Sequence, residues 1–245
     1  MPKIYFETLN KQICTNAKKP TPARMGVADW WKDMDRYNYD IESEITARFP
    51  HRDFSTARSC PALNDAFNFG YILYNPLDAY IDATEEDSIS WYVPEINLSV
   101  MDSDDQSYIG IHLQKQFKTL KNDSSFHKHA LKLNTFFGIR TESGYSSWIT
   151  HPIGRNDLPF RMLDGIIDTD KHVARFPYGF FIKKGFKGVI KAGTPLIQVI
   201  PFRREDFISE IVDSDHERAR SESISINLLF TNFYRKFYWT RKKFN

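Results

Sequence analysis

Cysteine is nearly missing from the chain: Cys14 and Cys60 are its only thiols, far apart and outside any C-x-x-C spacing. That argues against a disulfide-stapled secreted fold and a cysteine-based zinc site, and the pair reads as incidental thiols of a reduced intracellular protein. Long apolar runs are lacking too. The richest, residues 197–202, is interrupted by Gln198 and Pro201, far short of the roughly 18 apolar residues of a membrane-spanning helix. The first residues, Met-Pro-Lys-Ile-Tyr-Phe, carry no apolar signal-peptide region. Excess charge is absent: 33 Lys and Arg against 31 Asp and Glu leave +2, which gives no whole-molecule pull toward anionic lipid and speaks against nucleic acid as a partner. Neither G-x-x-x-x-G-K-[ST], G-x-G-x-x-G nor G-x-S-x-G occurs, so kinase, P-loop, Rossmann and nucleophile-elbow chemistry find no footing.

What the chain does have is aromatic bulk. Twenty Phe, 12 Tyr and 5 Trp contribute to a 41% hydrophobic composition over 245 residues, enough for a substantial core. The pattern predicts one domain over residues 1–245 in three parts: an N-terminal strap and helix (1–60), a β body (61–204) and a C-terminal helical region (205–245). The strap, residues 16–27, is kept irregular by Pro20 and Pro22. A helix over 29–34 would put Trp30 and Met34 on one buried face.

The middle alternates in short β-branched and aromatic runs, predicting strands at 67–74, 88–93, 108–117, 131–140, 144–150, 162–167, 176–182 and 194–202. Leu131, Leu133, Thr135, Phe137 and Ile139 form one face of period two. Many short strands without helical crossovers predict a mainly β fold, an antiparallel β-sandwich or jelly roll or a β-clip-like barrel. From 217 to 239 there is no Gly or Pro, and Ile226, Phe230, Phe233 and Phe237 fall at helical spacing, predicting a C-terminal amphipathic helix. Its end mixes aromatic and basic residues, Phe233 through Trp239, which suits a protein contact.

Three constellations could carry chemistry. His127 and His129, two apart on a strand, would point both imidazoles to one side and could ligate a metal with His151 or His112. Asp168 and Asp170 close an apolar strand, and Gln198 is a lone carboxamide in another apolar strand, a small polar group inside a β framework. Arg155 and Arg203 are cations that could meet phosphate, and Tyr145 follows Gly144 as a further ligand-binding candidate.

The segments Gly165-Ile166-Ile167-Asp168-Thr169-Asp170 and Gly193-Thr194-Pro195-Leu196-Ile197-Gln198 resemble the Gly-Val-Ile-Asp-x-Asp and Gly-x-x-Ile-x-Gln motifs of the dUTPase and dCTP deaminase superfamily. The resemblance covers residues 163–202 and implies a β-clip body, Asp168 orienting an attacking water, Gln198 beside the nucleotide, and Mg²⁺ as cofactor. The family's sugar-stacking aromatic is replaced here by Lys171-His172, and its upstream Arg-Ser-Gly is absent. A broader resemblance, carried by Ala28-Asp29-Trp30-Trp31-Lys32-Asp33-Met34, Cys60-Pro61-Ala62-Leu63-Asn64-Asp65 and Asn156-Asp157-Leu158-Pro159-Phe160, is to a family of tailed bacteriophages without established activity. It implies residence in the cytoplasm of an infected or prophage-bearing cell, or in the virion. The leading expectation is therefore a non-catalytic, virion-associated or host-interacting β protein with a protein partner or self-association. The alternatives are a nucleotide-binding, dUTPase-like pyrophosphohydrolase and a metal-dependent jelly-roll enzyme using His127, His129 and His151.

Overall fold

A computed structural model describes residues 2–9, 11–37, 56–93, 108–112, 116–117, 124–172, 177–228 and 233–245. The chain divides into two compact units, one of residues 1–26 with 70–204 and one of residues 27–69 with 205–245. Residues 61–69, drawn into the β body by the sequence pattern, thus group with the segment from residue 27 onward and the C-terminal region, while residues 16–26 of the strap group with the β body.

The first unit is mainly antiparallel β. Its strands are β1 (Ile4–Thr8), β2 (Thr21–Pro22), β3 (Tyr71–Tyr74), β4 (Ala79–Asp82), β5 (Ser90–Tyr92), β6 (Ile109–Ile111), β7 (Leu131–Asn134), β8 (Phe137–Thr141), β9 (Tyr145–Thr150), β10 (Phe160–Met162), β11 (Gly165–Ile167), β12 (Pro177–Ile182), β13 (Lys187–Ile190) and β14 (Pro195–Arg203), with one short helix, α1 (Lys11–Asn16). They form four sheets in the orders β1-β8, β10-β12-β7-β6, β11-β9-β14-β3-β2 and β13-β4-β5. All four contribute to one buried cluster, through Ile139 of β8, Leu131 and Phe180, Ile149 and Val199, and Ile81. Small sheets meeting around a common interior bury one face of each strand, which is why alternation was readable in the sequence.

The middle of β14 is the exception: Leu196 through Ile200 are buried on both faces. Ile197 and Val199 face the main core, while Gln198 and Ile200 alternate onto the opposite side with Ile72, the Cα partner of Gln198. Ahead of β3, Gly70 adopts φ of 77°, and a Cβ there would stand 2.1 Å from the Val199 carbonyl oxygen. Only glycine allows the chain to cross β14 so closely.

Two predicted strands prove to be pairs. The run 131–140 breaks at Thr135 and Phe136, because the hydroxyl of Thr135 donates 2.9 Å to the Phe137 carbonyl oxygen and turns the chain from β7 into β8. The run 162–167 breaks between β10 and β11, which lie in different sheets. Beyond His112 the predicted strand 108–117 lies largely outside the described residues.

The regular elements described in the second unit are helical: α2 (Asp29–Lys32), a 3-10 turn (Ala57–Ser59), α3 (Pro61–Asn68), α4 (His216–Leu228) and α5 (Phe233–Phe237). Residues 61–68, the first part of which was left unassigned and the last part expected in a strand, form α3. Pro61 occupies its first turn, where a missing N–H costs nothing, and the Asn64 amide donates to the Arg58 and Cys60 carbonyls at 2.7 and 2.8 Å.

The expectation for Trp30 and Met34 is corrected: α2 is a single turn, so no i, i+4 face exists. The buried anchor is Trp31, whose ring lies 4.1 Å from that of Phe67, and Trp30 is exposed. At the C-terminus, α4 and α5 lie where the sequence predicts a helix, and residues 229–232 between them are outside the described residues. Phe237, expected in its apolar stripe, is exposed, and Phe230 lies outside the described residues. The indole of Trp239 donates 2.7 Å to Asp65, which also pairs with Lys242 at 2.7 Å. Among the described residues no helix is long and apolar enough to cross a membrane.

Candidate functional site

The chain leaves β11 at Ile167, turns at once, and returns toward the β8–β9 connection. The N–H groups of Lys171 and His172 both donate 2.9 Å to the Asp168 carbonyl oxygen, closing a tight turn that presents Asp168 and Asp170 beside the start of β9. There the Ser146 hydroxyl donates 2.7 Å to Asp168 Oδ1, and the Gly144 N–H donates 2.8 Å to Asp170 Oδ2. Beneath them, the hydroxyls of Thr141, Ser147 and Thr169 form a buried chain with spacings of 2.7 and 3.0 Å.

Arg204, one residue past β14, completes the cluster. Its Nη1 lies 2.8 Å from Asp170 Oδ1 and 3.3 Å from Asp168 Oδ1, and the same nitrogen reaches the Tyr145 carbonyl at 3.1 Å and the Ser146 hydroxyl at 3.0 Å. Its Nη2 grips Asp170 Oδ2. The guanidinium hydrogen bond holds the Asp170 carboxyl well below the usual carboxylate range, with the Gly144 N–H adding to it. Asp168 is lowered as well, first by the Ser146 hydroxyl and then by the charge of Arg204. Arg204 is in turn raised, chiefly by Asp170.

The two aspartates differ in access. The side chain of Asp170 is 5% exposed and that of Asp168 is 50% exposed. Asp170 already accepts two bonds from Arg204 and one from Gly144, and Mg²⁺ bound there would have to displace the guanidinium charge that sits against both oxygens; the residues present do not fit that cation. Two carboxylates held this firmly in the ionised form are also poor proton acceptors near neutral pH.

Gln198 lies elsewhere on the same sheet. It pairs with Thr150, four positions along β9 from Ser146, a separation of about 13 Å at strand rise. Its Oε1 accepts the Ile153 N–H at 2.9 Å, which fixes the loop after β9. Arg155 belongs to that loop and makes a two-pronged pair with Asp157, at 2.9 Å from Nε and 2.8 Å from Nη2, while its Nη1 donates to the Gly26 carbonyl at 3.2 Å. Arg203, the last residue of β14, is exposed opposite half-buried Tyr145. The structure thus joins Asp168, Asp170 and the Tyr145 backbone, and separately joins Gln198 with the Arg155 loop.

His127, His129 and His151 hold backbone. His127 Nδ1 accepts the His129 N–H at 3.2 Å, which leaves Nε2 to donate 3.0 Å to the Glu85 carbonyl. His129 Nε2 lies 3.0 Å from the Asp87 carbonyl. His151 Nε2 meets the Arg155 carbonyl at 3.1 Å and its Nδ1 meets the Met162 N–H at 3.4 Å. His112 Nδ1 faces Gln116 Oε1 at 3.2 Å. Burial lowers the pKa of His127, His151 and His112 and keeps the rings neutral. Among the described residues no three His, Cys, Asp or Glu side chains gather as a metal site.

Sequence reasoning missed Arg204 and Ser146. Both follow residues it did single out, Arg203 and Tyr145, and neighbouring positions at a strand end point to opposite faces, so the functional partner lay one residue away.

No protein-family model matches the chain, and no curated protein matches it. Among solved structures it is similar to a point mutant of the dUTPase from phage phi11 of S. aureus, at 10% identity and a TM-score of 0.37, over 87% of this chain and 99% of that one. A second dUTPase structure from the same phage aligns at 9% identity and a TM-score of 0.26, over 44% of this chain and 97% of that one. Similarity of this degree does not establish a family.

Proposed function

We propose that this chain is a non-catalytic β scaffold, virion-associated or host-interacting, that works by binding protein. One observation carries the reading: Arg204 commits its guanidinium to both candidate catalytic carboxylates, so the polar centre of the sheet is a clamp on the chain. The other candidate side chains follow suit, with Gln198, Arg155, His127 and His151 all bonded to backbone of the same unit. The contact surface is the C-terminal end, where Tyr234, Phe237 and Tyr238 are exposed beside Arg235 and Lys236, a composition enriched at protein interfaces. Deoxynucleoside triphosphates with Mg²⁺ should give neither pyrophosphate release nor a thermal shift. Truncation after Ser223 should lower solution mass or abolish partner capture, and an unchanged mass with unchanged partner binding would overturn the reading.

A second reading rests on Asp168, whose half-exposed, ionised carboxylate could orient a water against a bound nucleotide. Pyrophosphate release that disappears in Asp168→Asn would establish this enzyme in place of the scaffold.

A further inference from the structure

Ile149 and Ile167 turn one face of the five-stranded sheet toward the main core, so their strand neighbours Trp148 and Ile166 lie on the opposite face. Trp148, in the middle of β9, is 40% exposed, and its Cα partner Ile166 on β11 is 67% exposed. Among the described residues no hydrogen bond or ring contact engages the indole. An aromatic ring left in water on a sheet, with an aliphatic side chain beside it, is a flat apolar platform of the kind that marks a ligand site.

Polar groups flank that platform in a repeated form. The antiparallel register that sets Ile166 opposite Trp148 continues to set residue 168 opposite 146 and residue 164 opposite 150. Each pair is joined through its side chains: the Ser146 hydroxyl donates 2.7 Å to Asp168 Oδ1, and the Thr150 hydroxyl donates to Asp164 Oδ1. Both aspartates are exposed, and in both the engaged oxygen is Oδ1. No protein group among the described residues reaches either Oδ2. Two positions along a strand is about 7 Å, so the face lays an open carboxylate oxygen, an apolar platform and a second open carboxylate oxygen along about 13 Å.

A ligand for this strip needs hydrogen-bond donors at both ends, an apolar face between them and no negative charge. A sugar ring meets all three conditions. The axial C–H groups of a pyranose form a weakly positive surface that lies on the negative face of an indole, and its edge hydroxyls donate to carboxylates in charge-assisted bonds roughly twice as strong as neutral ones. A nucleotide would stack as well, but its phosphate would meet Asp168, which Ser146 and Arg204 hold ionised. A basic peptide would suit the acids, yet Arg204 already sets a cation against Asp168. We propose that Trp148, Asp164 and Asp168 bind a neutral oligosaccharide, with one pyranose stacked on the indole and hydroxyls to either side donating to the two Oδ2 atoms. The site goes beyond the protein-binding reading above and uses none of the exposed C-terminal aromatics.

The test is binding of the full chain to an array of neutral, sialylated and sulfated oligosaccharides, followed by titration calorimetry with cellotriose, maltotriose and the neutral oligosaccharide that the array retains best. The wild type should bind at least one neutral oligosaccharide with a Kd of about 1 mM or tighter. Trp148→Ala should weaken it at least about tenfold, Trp148→Tyr should keep most of the affinity, and Asp164→Asn and Asp168→Asn should each weaken it about tenfold, with far-UV dichroism unchanged. Tyr92→Ala, which removes an exposed aromatic from β5, should leave binding unaltered. Should Trp148→Ala fail to fold, Asp164→Asn decides, since it alters only an exposed side chain. The proposal is overturned if no neutral oligosaccharide is retained, if sulfated or sialylated ones are retained more strongly, if an oligolysine peptide binds at this face more tightly than any sugar, or if binding is indifferent to the Trp148 and Asp164 substitutions.

Discussion

Arg204 holds Asp170 with both terminal nitrogens across 34 positions of chain, and Asp170 answers with both oxygens while also accepting the Gly144 N–H. Three separate pieces of backbone are thereby tied at one point: the exit of β14, the turn after β11 and the turn before β9. A carboxylate so enclosed serves the fold, whereas its half-exposed neighbour Asp168 keeps one face to water.

That difference sets the order of two substitutions. Asp170→Asn should lower the melting temperature by several degrees at pH 7, and Asp168→Asn by less. The folded Asp170 carboxyl titrates below its unfolded value, so its stabilisation is complete above about pH 4 and drains away as the pH falls toward the folded value. Thermal melts from pH 6 to pH 2 should therefore be steeper for wild type than for Asp170→Asn below about pH 4. Parallel curves would remove Asp170 from the clamp.

Much of the β framework was legible because burial of one face imposes a period of two. β9, β12 and β14 stand within a residue or two of where alternation puts them. The breaks at Thr135 and between Met162 and Gly165 were not legible, since a sheet change leaves the apolar pattern intact and is decided by a local hydroxyl bond and distant partners. α3 escaped because eight residues give barely two turns of periodicity, and its real signals are Pro61 in the first turn and the Asn64 amide that donates back to the Cys60 carbonyl. Of the candidate site, Asp168 and Asp170 were found by sequence. Arg204 was not, because nothing in a sequence says which of two adjacent arginines at a strand end turns inward.

Trp31 makes a second prediction. Its indole is buried against Phe67, and its Nε1 has no hydrogen-bond partner among the described residues. An unsatisfied buried N–H is a cost, so removing it while keeping the ring is cheap. Trp31→Phe should cost less than about 1.5 kcal/mol, Trp31→Ala about 3–5 kcal/mol, and Trp30→Ala much less than the latter, measured by urea unfolding. Equal losses for Trp31→Phe and Trp31→Ala would mean that the indole nitrogen is in use.

A third prediction concerns neutrality of the buried imidazoles. His127 can accept the His129 N–H at Nδ1 and donate to the Glu85 carbonyl at Nε2 only while uncharged, and burial lowers its pKa below the usual value. His151 shares both features, with the Met162 N–H and the Arg155 carbonyl as partners. A lowered folded pKa means that the unfolded chain takes up protons first as the pH drops. The stabilisation is thus full above about pH 6.5 and declines below it, until the folded rings also protonate. Wild-type melting temperature should fall by a few degrees between pH 7 and pH 5, well before the carboxylates titrate. His127→Gln, which can still donate and accept, should flatten part of that fall, and adding His151→Gln should flatten more. The protection factor of the His129 amide, which allows for the intrinsic slowing of exchange as the pH falls, should drop over the same interval in the wild type, because protonated His127 can no longer accept from it while Nε2 still donates to the Glu85 carbonyl. If the double variant retains the full wild-type slope between pH 7 and pH 5, the acid sensitivity lies outside these two rings.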